Sequence, residues 1–301
     1  EIMPSLVGSE MCIRDRFLYY VYMRLIIPTS FALIAFAGNS LINRWALLDG
    51  STGPLSFTAL RLCSGALLLW LLVAARSGLW WPKFNPISAT ALFIYAIGFS
   101  LAYVSLDVGW GALVLFGGVQ LTMFSLAVLS NQEVGLSRIF GAVISFVGLC
   151  FLLMPNSAVN FNFFSLAFMV LAAIAWGLYT HRGHSSSNPL LDTAQNFFWA
   201  APFSIILYLI TQDDLETKGA MLAVVSGAVT SGIGYAFWYA VLPKFRTTTA
   251  AILQLLVPLI AAGFGYLFLA EELTWQLAFA TAFVFFGTFV ALRRPGIKPL
   301  K

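Results

Sequence analysis

Ten apolar runs decide what this chain can become. Each is about 20 residues long, enough to cross a hydrocarbon core about 30 Å thick as a helix rising about 1.5 Å per residue. They cover 25–46, 55–75, 88–106, 111–130, 137–154, 163–181, 193–211, 219–242, 248–269 and 274–292. The stretches between them carry turn residues or charge, as in "DGSTGP" (49–54), "PNSAVNFN" (155–162) and "TQDDLETK" (211–218). Only 9% of the residues are charged, against about 25% in a soluble domain. So little charge cannot cover a water-facing surface. The chain therefore reads as an all-α integral membrane protein whose surroundings are the lipid bilayer. The net charge of +4 implies no nucleic-acid partner, because in such a chain the placement of charge matters more than its sum.

That placement sets an orientation. With the amino terminus inside, the inner loops and ends hold eleven lysines and arginines, among them Arg76, Lys83, Arg138, Arg182, Lys244 and Arg293, and the outer loops hold only Arg44 and Lys218. Positive-inside placement puts both termini in the cytoplasm, and a cytoplasmic (inner) membrane location is expected. Asp49, Asp107, Asp213, Asp214, Glu216, Glu271 and Glu272 then fall outside. Residues 1–22 precede the first run and carry "MCIRDR" (Met11–Arg16), the string that an in-frame sequencing adaptor end encodes. They are expected to be non-native or disordered. Residues 293–301 form a cytoplasmic tail.

The sequence also repeats. "NQEVGLSRIFGAVISFVGLCFLL" (131–153) aligns without gaps on "AEELTWQLAFATAFVFFGTFVAL" (270–292). The same shift pairs Gly38 with Gly177 and Phe99 with Trp238. Each half, 24–154 and 163–292, has five spans. An odd number forces the second half to insert upside down, so two inverted five-helix repeats are expected, a plan that places a solute site between the halves.

Several segments carry a resemblance: "FALIAFAGNSLINRWAL" (31–47), "SFTALRLCSGALLL" (56–69), "GALVLFGGVQLTM" (111–123), "AIAWGLY" (173–179), "SGAVTSGIGYAFWYAVL" (226–242) and "AAILQLLVPLIAAGFGYLFLAEELT" (250–274). In these the chain resembles the EamA-type branch of the drug/metabolite transporter (DMT) superfamily. The resemblance implies ten spans and a carrier of amino acids, sugars, nucleotide-linked or phosphorylated metabolites, or drugs, often an exporter. It does not choose among those small-molecule substrates.

Several residues are candidates to line the path. Gly117 and Gly118 are expected to weaken the fourth span, and Pro258 to break the ninth by removing a helix hydrogen bond. Gln120 and Gln254 stand beside these breaks, where an amide and freed carbonyls suit a polar solute; tying neighbouring helices together is the plainer alternative. Arg61 lies within the second span, beside Thr58, Ser64 and Gly65, at the depth of Asn39 on the first. A guanidinium there either holds a carboxylate or phosphate through paired hydrogen bonds, snorkels to the surface, or pairs with Asp107 or Asp49. Trp176, Tyr235 and Trp238 suit a cavity wall or helix packing. Glu133 and Glu272 occupy matching turns and are expected to cap the helices that follow. No span holds an acid at its middle, which argues against exchange of cationic drugs for protons.

A membrane enzyme is the rival reading. The two histidines, His181 and His184, share one loop and lack a third metal ligand, "DDLE" (213–216) has no second acidic motif, and Cys12, Cys63 and Cys150 show no metal spacing. The expectation is a carrier for a small polar, amino-acid-like or anionic metabolite, with no catalytic residue, metal or cofactor.

Overall fold

The computed structural model describes residues 22–78, 80–129, 136–152, 162–183, 186–245 and 253–292. These form ten helices: α1 (Ile27–Leu47, opened by a π-helical turn over Tyr22–Ile26), α2 (Pro54–Ser77), α3 (Pro86–Tyr103), α4 (Val108–Leu129), α5 (Leu136–Leu152), α6 (Phe163–Gly183), α7 (Pro189–Thr211), α8 (Thr217–Val241), α9 (Leu256–Leu269) and α10 (Trp275–Leu292). Six of them, α2, α3, α4, α6, α7 and α8, are long and apolar enough to cross a membrane. α5, α9 and α10 contain shorter apolar helices. α1 is long enough but carries Ser30, Asn39, Ser40, Asn43 and Arg44, which lower its hydropathy. Its position explains them, since it packs against α3, α4, α8 and α9 at the middle of the bundle.

Helix starts follow from local chemistry. Pro54, Pro86 and Pro189 stand in the first turns of α2, α3 and α7, where a missing N–H costs nothing. Asn85 and Asn188 cap α3 and α7 by accepting from the amides of Ser88 and Leu191. α2 is capped from the other half of the chain: the Asp213 carboxylate accepts from the amides of Leu55 and Ser56, both at 2.8 Å. The glycine pair in the fourth span makes no break. α4 runs unbroken through Gly117 and Gly118, and the two glycines instead admit the Leu149 side chain of α5 and the Ala173 methyl of α6. At Pro258 a break does occur: Leu255 is a turn residue and α9 begins at Leu256, so the proline's missing N–H falls in a first turn. An interruption the sequence did not announce lies in α8, where Ser226–Ile233 is π-helical.

Pairing between the halves is reciprocal. α2 packs on α7, α4 on α9 and α5 on α10; α3 packs on α6 as α1 does on α8. α5 and α10 meet at Gly141 and Gly287, so close that a Cβ on either would collide with the other's backbone. Large apolar side chains such as Ile210, Leu267 and Phe163 face outward, while Asn39, Asn43, Arg61, Ser100 and Ser231 are buried. This is the arrangement lipid requires and water would not tolerate.

The two ends differ. At one, the α1–α2 link holds the α7–α8 link: the Gly53 amide donates to the Asp214 carbonyl at 2.7 Å, and Thr52 forms an isolated antiparallel bridge with Leu215. The α3–α4 and α9–α10 links lie at this same end, joined through Arg44. At the other, a cavity of about 400 Å³ opens between the starts of α3 and α7 and the end of α6; Asn85, Tyr179, Arg182, Asp192, Asn196 and Tyr239 line it.

α9 ends at Ala270 with φ +54°, a left-handed turn that a Cβ disfavours. Ala270→Gly is expected to stabilise the fold by about 1 kcal/mol, read as a higher thermal midpoint in detergent. An unchanged or lower midpoint would mean the turn stores no strain.

Candidate functional site

Three helices bring polar side chains to one buried point. α1 supplies Asn39, α2 supplies Arg61, and the π-helical stretch of α8 supplies Ser226, Thr230 and Ser231. The Asn39 Oδ1 is approached by the hydroxyls of Ser226 at 2.7 Å, Thr230 at 3.2 Å and Ser231 at 3.4 Å. Its Nδ2 donates to the Tyr95 hydroxyl at 3.5 Å. Asn43, one turn on, donates to the Asn39 carbonyl at 2.9 Å and accepts from Ser100 at 2.9 Å. Asn39 and Arg61 do share a depth, but their link is Ser231, which donates to Asn39 and accepts from Arg61 Nε at 3.0 Å.

Arg61 is 1% exposed and does not snorkel. Its Nη2 donates to the Tyr235 hydroxyl at 3.4 Å, and its guanidinium lies over the rings of Phe99 (5.3 Å) and Tyr95 (5.7 Å). Both proposed acidic partners are committed elsewhere: Asp107 pairs with Arg44 at 3.5 Å and Asp49 with Lys218 at 3.4 Å. Among the described residues no carboxylate comes within 4.0 Å of Arg61, and its Nη1 has no partner. A charge buried in a membrane protein costs a few kcal/mol by insertion scales. Hydroxyls and ring faces offset part of that cost and leave one end of the guanidinium unspent.

Aromatic rings connect this centre to both ends. From the cavity, Tyr239 meets Tyr179 (5.6 Å), Tyr179 meets Trp176 (5.5 Å), and Trp176 meets Tyr95 (4.7 Å) and Tyr235 (4.8 Å). Tyr95 continues to Phe99 and Tyr103 along α3. Trp238 joins through Phe36, 5.8 Å away. Tyr95, Phe99 and Tyr103 recur every four residues, a helical stripe that was readable in the sequence and not singled out there.

The amide candidates stand apart. Gln120 is half-buried on α4. Gln254 is buried ahead of α9 with its Nε2 unpartnered. Glu133 lies outside the described residues. Glu272 is exposed, and the side chain that accepts from the first turn of α10 is Thr274. The acid that caps a helix is its neighbour Glu271, whose Oε2 accepts from the Val108 amide at the start of α4, 2.8 Å away. Glu271 also faces Arg44 Nε at 3.7 Å. Burial, then the nearby Asp107 charge, push its pKa up to about 7, against the pull of the Val108 amide and Arg44. Burial likewise raises Asp107, with Arg44 opposing.

Comparison with known proteins agrees with this architecture. An uncharacterized protein of Pseudomonas aeruginosa is 42% identical over 267 residues, covering 88% of this chain and 93% of that one. An uncharacterized transporter of Archaeoglobus fulgidus is 23% identical over 80% of this chain and 89% of its own length. A solved crystal structure superposes with a TM-score of 0.63 over 87% of this chain and 96% of its own, at 19% identity, a likeness of fold. The model of the EamA-like transporter family matches residues 163–293. On the family match and the close Pseudomonas relative, the chain is a multi-pass membrane protein that belongs to the EamA-like transporter family of the DMT superfamily.

Proposed function

We propose that this protein is a secondary carrier that exports a small metabolite bearing a carboxylate or phosphate, amino-acid-like in size, by alternating access. The observation that carries the reading is Arg61: buried, unpaired by any carboxylate among the described residues, and with Nη1 free. A guanidinium presents a fork of donors matched to an oxyanion, so a solute carboxylate would satisfy what the protein leaves open. Ser231, Tyr235 and the rings of Tyr95 and Phe99 hold that fork in place, and the rings of Trp176, Tyr179 and Tyr239 form the way in from the cavity.

In this reading residues 24–154 and 163–292 are inverted repeats. Support comes from where matched helices end. α1 finishes beside Asp107 and Glu271, whereas its counterpart α6 finishes at the cavity through His181–Gly183. The orientation follows charge: the cavity end carries Lys83 and Arg182, and the opposite end gathers Asp49, Asp107, Asp213, Asp214, Glu216 and Glu271. The cavity then faces the cytoplasm, with both termini on that side of an inner membrane. The linked loops close the outer end and buried rings separate the cavity from Arg61, so in this reading solute enters from inside once those rings part.

Two measurements test this. In vesicles, Arg61→Gln is expected to lower flux of anionic and zwitterionic metabolites at least tenfold, with Arg61→Lys recovering part of it because the charge returns without the fork. Undiminished flux in Arg61→Gln protein would remove the anion contact. Ser231→Ala leaves Arg61 Nε without its acceptor and is expected to cost about 1–3 kcal/mol of stability, seen as a lower unfolding midpoint. An unchanged midpoint would mean that Ser231 is not what ties Arg61 to Asn39.

A further inference from the structure

Arg44 joins several elements at the end of the bundle opposite the cavity. It leaves the last turn of α1, and its Nη1 donates to the carbonyls of Tyr103 (3.2 Å) and Val104 (2.8 Å) at the end of α3. On its other side it faces two carboxylates, Asp107 from the α3–α4 link at 3.5 Å and Glu271 from the α9–α10 link at 3.7 Å. Glu271 in turn holds the start of α4 through Val108. Three helices of the first half (α1, α3 and α4) and the end of α9 therefore meet on one cation shared by two acids. The Glu271 side chain is 12% exposed and that of Asp107 39%. Both the Arg44 Nε and the Glu271 Oε1 are buried without a hydrogen bond, since 3.7 Å is too long for one.

With both acids ionised this cluster carries one uncompensated negative charge, in a place water reaches poorly. A single proton makes it neutral. A neutral carboxyl still accepts from Val108 through one oxygen and gains a donor on the other, the atom that now lacks a partner. We propose that Glu271, Asp107 and Arg44 form a proton-binding latch at the end of the bundle opposite the cavity: a proton on Glu271 holds that end shut, and its loss lets the end open. The proposal rests on the alternating-access reading above but not on what Arg61 binds.

The sign follows from linkage. The closed end raises the Glu271 pKa to about 7; an opened end returns the group to water and to the usual carboxylate range. The closed state therefore binds the proton more tightly. Its advantage is complete below the ordinary carboxylate pKa and is lost as pH rises through about 7. The charged or titratable groups facing Glu271 are Arg44 from α1, Tyr103 from α3 and Asp107 from the α3–α4 link, with Glu272 next to it in sequence. Of these, Asp107 and Arg44 tune it most directly, in opposite directions.

The test uses the full chain in vesicles without solute. Cys63 and Cys150 are replaced by Ala, Cys12 by Ser, and a reporter is placed at Ala46, buried two residues past Arg44. Labelling by a membrane-impermeant maleimide from the outer side, corrected for the reagent's own pH dependence on an exposed site, is expected to rise about tenfold between pH 5.5 and 8.5. Glu271→Gln should hold the low, acidic rate at every pH. Asp107→Asn, which removes the neighbouring negative charge, should move the midpoint to lower pH. Labelling that is flat in the parent, rises toward acid, or keeps its pH response in Glu271→Gln would overturn the latch. If Glu271→Gln does not fold, an Asp107→Asn midpoint that fails to move does so instead. An Arg61→Gln background keeps the two claims apart: it removes anion flux if the functional reading holds, and should leave this pH response intact.

Discussion

A guanidinium kept in the middle of a membrane protein, with no carboxylate partner among the described residues, organises everything around it. Arg61 is tolerated because three kinds of contact share its cost: a serine hydroxyl on Nε, a tyrosine hydroxyl on Nη2, and two ring faces. Each depends on another helix being in place. Ser231 and Tyr235 lie on α8, Tyr95 and Phe99 on α3, and Asn39 on α1 fixes Ser231 in its turn. Moving any of these helices changes what the charge touches. Under the proposed function that property matters, since a central group with different surroundings in each conformation also has different affinity in each.

The rest of the architecture distributes order unevenly about that centre. On the side of Asp49, Asp107 and Glu271, loops are bonded to loops and helix starts are capped from across the molecule. On the side of Arg182 and Asp192 there is a polar hollow with a tyrosine floor. Aromatic rings run between the two, packed edge to face and tilted more often than stacked, in geometries that such rings favour. Rings bury a large area with few rotatable bonds, so they can line a path and still pack well when it is closed.

Much of this was legible in the sequence, and the reasons for the rest are physical. Span lengths placed Asn39 and Arg61 at one depth because helix rise is fixed. Tyr235 and Trp238, three residues apart on α8, both meet Phe36 for the same reason. Reading Gly117–Gly118 as a weakness failed because a glycine's cost in a helix is recovered when a neighbour fills the space, and Leu149 and Ala173 belong to distant segments. The expected cap of α10 by Glu272 is made by Thr274 instead, and the neighbouring Glu271 reaches the start of α4, a contact across the fold that local sequence does not announce. Ser231 shares a face with Tyr235 and Trp238 in the sequence, but its meeting with Ser226 and Thr230 on Asn39 was not legible, since ordinary helical periodicity does not place all three on one atom.

That last feature reaches further than the bonds it makes. A π-helical stretch amounts to one residue more than the axial distance requires, held because something on its face rewards the wider turn. Here the reward is a single amide oxygen on α1. If α1 withdraws, nothing obliges Ser226–Ile233 to stay overwide, and relaxation to regular winding would swing the tyrosine and tryptophan below it around the helix axis. Under the proposed alternating access, the segment would convert a shift of α1 into a rotation of the rings below it.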